Sequence, residues 1–183
     1  MKKFAKLFMI VACMAMVFCF TAGVSAAEAN ANDVTVTINF RIMDRDDDPT
    51  TSYPITENPL TVTADLDDTL YDVIVAANLG ALWDTVPIVI WNEESQSYVP
   101  TGENGKALTS LTLDGVPYVN DGEYTSSNSY SGTNWMWYYG TPSQMPPLSN
   151  DYPDTYLDKV KVRNLVSYNY NFTLSYETET MTW

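Results

Sequence analysis

The feature that most constrains this chain is the segment Leu111–Gly140, which reads LTLDGVPYVNDGEYTSSNSYSGTNWMWYYG. It holds a short strand, an Asp114-Gly115 turn, a polar loop and then five large residues in a row, Trp135, Met136, Trp137, Tyr138 and Tyr139. Successive residues of a strand point to opposite faces, so such a run puts large side chains on both sides of its sheet. One face can fill a core; the other must be covered or must bind something. Trp135 and Trp137 are two apart and share a face, which the pattern makes the inward one. Trp135→Ala is therefore expected to be a folding mutant and Tyr138→Ala a binding mutant.

The residues that flank this run widen the reading. With Tyr130, Trp83 or Trp91, part of the aromatic set can line a flat recognition surface, since planar rings suit a planar ligand or a sugar face. A protein interface favours the same residue types. Core packing alone accounts for any one of them about as well.

Ahead of this region the chain begins with Lys2, Lys3 and Lys6, a run of apolar and small residues over Leu7–Phe20, and Val24-Ser25-Ala26. That is the grammar of an export signal, with cleavage expected after Ala26, residues 27–33 as a linker and one domain over 34–178. The apolar run is too short to span a bilayer, for which ~20 residues are needed. Ile10-Val11-Ala12-Cys13 superficially matches a lipoprotein cleavage box, but would leave the apolar Met14–Phe20 at the mature N-terminus, so lipidation is disfavoured.

Removing residues 1–26 takes away both cysteines and three of the nine basic residues, but none of the 23 acidic ones. The mature net charge is then 6 − 23 = −17. Such a chain repels nucleic acid and anionic membrane surfaces, so neither is an expected partner. Its stability must come from a core, for which about 150 residues suffice. Export without cysteine points to a secreted protein of a Gram-positive type of cell. There is no histidine, which removes the histidine-based triads and every imidazole-ligated metal site. The expectation is a protein that is not an enzyme and has no resident cofactor or metal.

Two acidic constellations have plain explanations. Asp44-x-Asp46-x-Asp48 has the spacing of half a calcium loop, but Pro49 stands where a glycine should turn the chain and Ile55 where a bidentate glutamate should be. Asp65, Asp67, Asp68 and Asp72 gather at a helix start, where capping and the helix dipole favour them.

Along the chain, Val34–Ile42 alternates as a half-buried strand and Leu60–Ala64 as a second, antiparallel to it. Asp67–Leu79 reads as the one convincing helix, capped by Asp67 or Asp68 and ended by Asn78 or Gly80. Ile88–Trp91, Ser110–Leu113, Trp135–Tyr139, Lys159–Val162 and Asn171–Tyr176 read as strands. Asn92–Lys106 is read as a polar connection, and Pro142–Asp158, with four prolines, as an irregular one.

Three of these segments, in this order, carry a resemblance: Asp68-Thr69-Leu70-Tyr71-Asp72-Val73-Ile74, Leu108–Gly115 and Asn134-Trp135-Met136-Trp137. Over roughly Val34–Tyr176 the chain resembles the transcobalamin C-terminal-like (DUF4430) domain of bacterial exported proteins. The resemblance implies an α+β, β-grasp-like fold, a mixed sheet packed on one main helix. It also implies a secreted small-ligand-binding module, with a corrinoid (cobalamin-like) ligand as the leading class. Carried over by position, Trp135, Trp137 and the loop Tyr118–Thr133 lie nearest that ligand. The expected ligand-binding set is Tyr118, Tyr130, Trp135, Trp137, Tyr138 and Tyr139. The chain departs from the family at Asn134, where an aromatic pair would begin, and it has no histidine to ligate cobalt. The alternative is a cell-surface interaction or adhesion protein that meets a protein or glycan through the aromatic patch.

Overall fold

The structure is a computed structural model, and it describes residues 31–46, 52–56, 58–126, 129–144, 153 and 155–182. The expected export signal lies outside them. The region from Asn32 onward forms one compact unit.

Its centre is the strand β1 (Asp33–Asp44), whose Val36, Ile38 and Phe40 all face inward and are buried. Alternation of threonine with branched or aromatic residues produces this face. On one edge β1 pairs antiparallel with two short strands in succession. These are β3 (Leu60–Asp65) along Asp33–Ile38 and β2 (Ser52–Pro54) along Arg41–Met43. On the other edge it runs parallel to β9 (Asn171–Thr182), which pairs antiparallel with β8 (Ser129–Tyr139), and β8 with β7 (Glu123–Ser126). A separate three-stranded antiparallel sheet is formed by β4 (Leu82–Asn92), β5 (Ser97–Leu113) and β6 (Val116–Val119). Asp114 and Gly115 join β5 to β6 with φ of 51° and 79°. Two positive φ values in succession are the signature of the hairpin turn that Asp-Gly favours.

This corrects the expected β-grasp-like sheet on one main helix. Strand accounts for 61% of the structure and helix for 14%, and the strands are divided between two sheets rather than gathered in one. The α-helix α1 spans only Leu70–Ala76. It is short because both ends are fixed from within the sequence. Thr69, not Asp67 or Asp68, is the N-cap: its hydroxyl accepts from the Asp72 N–H while the Asp72 carboxylate accepts from the Thr69 N–H. Asn78 (φ 55°) and Gly80 (φ 60°) then turn the chain out of helical geometry. Two turns of helix cannot cover a sheet of this size. The cover is shared with β5 and with the 3-10 segments Leu157–Lys159 and Val162–Tyr168.

Those segments replace the strand expected at Lys159–Val162. Leu157 and Val160, then Val162 and Leu165, are each three apart, the period of a 3-10 turn, and all four are buried. Backbone bonds from Leu70 N to Val160 O (2.9 Å) and from Val162 N to Asp68 O (2.8 Å) stitch this stretch to the start of α1. A further difference is that the polar stretch Asn92–Lys106 is mostly strand, because β4 and β5 form one long hairpin. Most of its residues are exposed, so no apolar alternation marks it.

Candidate functional site

A groove of about 630 Å³ opens between the two sheets. Its floor is the inward face of β8 and β9, with Trp135, Trp137 and Leu174; one wall is the β4–β5 hairpin, with Ile88, Val89, Ile90, Trp91, Tyr98 and Leu108. The other wall is the segment at Thr155, Tyr156 and Leu157. That volume is in the range of small-molecule sites, roughly 300–1,000 Å³.

The floor is rigid. Trp135 and Trp137 are 7% and 8% exposed, and each indole is held by a hydrogen bond as well as by packing. The Trp135 Nε1–H donates to the Tyr118 carbonyl (3.0 Å) and the Trp137 Nε1–H to the Thr155 carbonyl (3.1 Å). The second bond fixes the Thr155–Tyr156 wall to β8. The same wall is tied to the hairpin by the Lys106 N–H, which donates to Asp158 Oδ1 at 2.9 Å. Gly105 lets it approach: a Cβ at that position would collide with the Tyr156 ring.

The hairpin wall is different in kind. Val89, Ile90, Trp91 and Tyr98 are 45%, 55%, 45% and 69% exposed. Trp91 and Tyr98, opposite each other in the ladder, meet edge to face at 5.2 Å. Cross-strand aromatic pairing holds them in place while much of their surface stays available.

Of the residues singled out in the sequence, the structure brings Trp91, Trp135 and Trp137 to the groove. Tyr118 packs on Trp135 (6.1 Å) and on Tyr176 (5.5 Å), behind the floor. Tyr139 meets Trp137 edge to face (5.0 Å) and stacks on Tyr168 (5.2 Å), so it supports the floor from the side. Tyr130 accepts a hydrogen bond from Asn134 Nδ2 at the far end of β8 and does not line the groove. The loop carried over from the resemblance, Tyr118–Thr133, adds only Asn120 among the described residues.

Tyr138 requires a correction. Alternation does put it on the face opposite the two tryptophans, yet it is 4% exposed and not available to a ligand. Its hydroxyl donates to Glu177 Oε1 (2.9 Å) and accepts from the Arg45 guanidinium (2.7 Å), and Arg41 lies over its ring at 5.0 Å. Glu177 also takes Arg41 at 3.2 Å and Arg45 at 2.6 Å, and Arg41 Nε donates to Ser175 Oγ at 2.8 Å. The second face of β8 is thus closed by a buried ionic network. Sequence reasoning missed it because its two arginines lie more than 130 residues from Glu177.

The acidic constellations are accounted for locally. Asp46 accepts from the Thr180 N–H (2.9 Å) and hydroxyl (2.8 Å), tying the end of β1 to β9. Asp48 lies outside the described residues. Asp65 and Asp68 accept from backbone N–H groups around the helix start, and Asp67 pairs with Arg163.

The titrating groups beside the floor are phenols. Burial, and then neighbouring Tyr168, raises Tyr139 above the ordinary value of 10.0; burial, and then Asp121, raises Tyr176. Both therefore stay protonated at neutral pH. A proton held more tightly in the folded state gives stability that is complete below the unfolded value and lost as pH rises through the folded one. Urea midpoints are expected to be flat from pH 7 to 9 and to fall above pH 10. Tyr139→Phe should make that fall shallower; an unchanged slope would mean that Tyr139 does not contribute.

No family model, curated protein or solved structure matches the chain.

Proposed function

We propose that this is an exported, non-enzymatic module that holds a flat, largely apolar small molecule in the groove between its two sheets. The observation that carries the reading is the pairing of a rigid indole floor with an exposed aromatic hairpin. The floor supplies a preorganised surface, and the hairpin supplies apolar area that a ligand can cover. The rest of the groove supports binding over catalysis. Among the described residues its lining includes no carboxylate, and the chain has no histidine. A corrinoid is the ligand class implied by the resemblance to transcobalamin C-terminal-like domains, and its flat ring suits the indole floor.

The test is a titration of the mature protein with cyanocobalamin and, separately, with small flat aromatic compounds, followed by tryptophan fluorescence. Saturable quenching is expected, and it should weaken in Trp91→Ala and Tyr98→Ala while their melting temperatures stay near wild type. No response to cyanocobalamin up to the millimolar range would remove the corrinoid class. No response to any flat ligand would remove the groove as a small-molecule site.

A second reading is favoured by the exposure of Val89, Ile90, Trp91 and Tyr98 on one hairpin: a cell-surface interaction protein meeting a protein or glycan there. Fractionation separates the two, since a pool found only in the culture supernatant would count against a surface role.

A further inference from the structure

The groove's charge differs from that of the chain around it. The chain carries 23 acidic residues against nine basic ones, yet among the described residues the lining contains no carboxylate and a single charged residue, Lys106. Lys106 sits on β5 opposite Thr85 of β4, two residues before the buried Leu108, so it shares the groove-facing side of the hairpin with that core residue. Its ammonium donates to the Thr85 hydroxyl at 2.8 Å, and among the described residues no carboxylate pairs with it. Asp158 adjoins the Lys106 backbone, but its Oδ1 takes the Lys106 N–H and its Oδ2 faces the Lys159 ammonium at 3.6 Å. Arg41, Arg45, Lys159 and Arg163 pair with carboxylates, and Lys161 donates to the Asp67 carbonyl.

Resting on the reading of the groove as a ligand site, we propose that the ligand is a small organic anion: a flat apolar body that lies against Trp135 and Trp137, and one carboxylate-type group that pairs with Lys106. The negative charge of the protein as a whole does not forbid this. At physiological ionic strength charges beyond about 8 Å are largely screened, whereas a direct contact between an anion and the ammonium acts at a few ångströms, well inside that length. A neutral ligand of the same shape would leave the Lys106 ammonium with only a hydroxyl partner. The anion therefore gains selectively, and the apolar walls limit the class to amphiphiles.

Two dyes with one ring skeleton test this: 8-anilinonaphthalene-1-sulfonate, whose sulfonate stands in for the carboxylate, and the uncharged N-phenyl-1-naphthylamine. Each is titrated at 0.15 M salt into the wild-type mature protein, Lys106→Gln and Lys106→Arg, with a thermal melt of each variant. Both dyes are expected to give saturable enhancement in the wild type, with the anionic one bound several-fold tighter. Lys106→Gln should weaken the anionic dye about tenfold, Lys106→Arg should largely restore it, and neither should move the neutral dye. Equal affinity of the two dyes for the wild type would overturn the selection for an anion while leaving the groove a ligand site; this comparison needs no variant. An anionic-dye affinity that survives Lys106→Gln would overturn the role of Lys106. Failure of both dyes to saturate would overturn the groove itself.

Discussion

Replacing Trp135 by alanine is expected to unfold the protein at moderate temperature. The side chain lies against Tyr118 and Tyr176, is 7% exposed and donates to the Tyr118 carbonyl. Truncating a buried tryptophan costs about 3–5 kcal/mol through lost transfer energy and the cavity left behind. The orphaned carbonyl adds about 1 kcal/mol. Against a total stability of roughly 5–15 kcal/mol, that loss leaves little. Trp137→Ala should behave alike, since its indole also anchors the Thr155 wall. Far-ultraviolet circular dichroism melts decide the matter: a Trp135→Ala protein that melts with the wild type would mean that β8 is faced the other way.

The second large effect is expected on the opposite face of the same strand. Glu177 is 1% exposed and receives Arg41, Arg45 and the Tyr138 hydroxyl. Glu177→Ala would leave the Arg41 guanidinium, 3% exposed, without its carboxylate. Breaking a buried pair from one side costs about 3–5 kcal/mol, most of it the penalty of an uncompensated charge. The double variant Arg41→Met, Glu177→Ala should therefore lose less than the sum of its two single changes, because the stranded charge goes with its partner. Urea denaturation of the four proteins in the cycle measures this, and strictly additive losses would show that the pair is not coupled.

The two effects show what was legible in the sequence. Strict alternation over Val34–Ile42 marked β1 and its inward face, and the same rule put Trp135 and Trp137 together. The Asp114-Gly115 turn was equally plain, because it needs only local chemistry. The short helix was visible in kind but not in length. Thr69 and Asp72 form a reciprocal cap that outcompetes the aspartates before them, and choosing among several adjacent capping residues needs the three-dimensional path. Tyr138 shows where alternation stops being informative. It states which side a residue takes, not whether that side is covered, and the cover here includes charges from Arg41 and Glu177 at the two ends of the chain. The hairpin wall was hidden for a related reason. Ser97–Lys106 is mostly polar and mostly exposed, so it carries no burial pattern, and its strand character comes from pairing with β4. Trp91 and Tyr98 become neighbours only through that pairing. Half of the candidate site was therefore readable as an aromatic run, and the other half arose from register.

The central claim, that the groove between the sheets is a binding site, is tested most directly through the tryptophan indole N–H signals in a nitrogen-15 NMR titration with N-phenyl-1-naphthylamine. Trp91, Trp135 and Trp137 line the groove, whereas Trp83 packs on Tyr71 of the helix at 4.8 Å, away from it. Saturable shifts of the first three with one common affinity, and an unmoved Trp83, are the predicted result. Saturable shifts confined to Trp83, or no saturable shift at any indole, would contradict it.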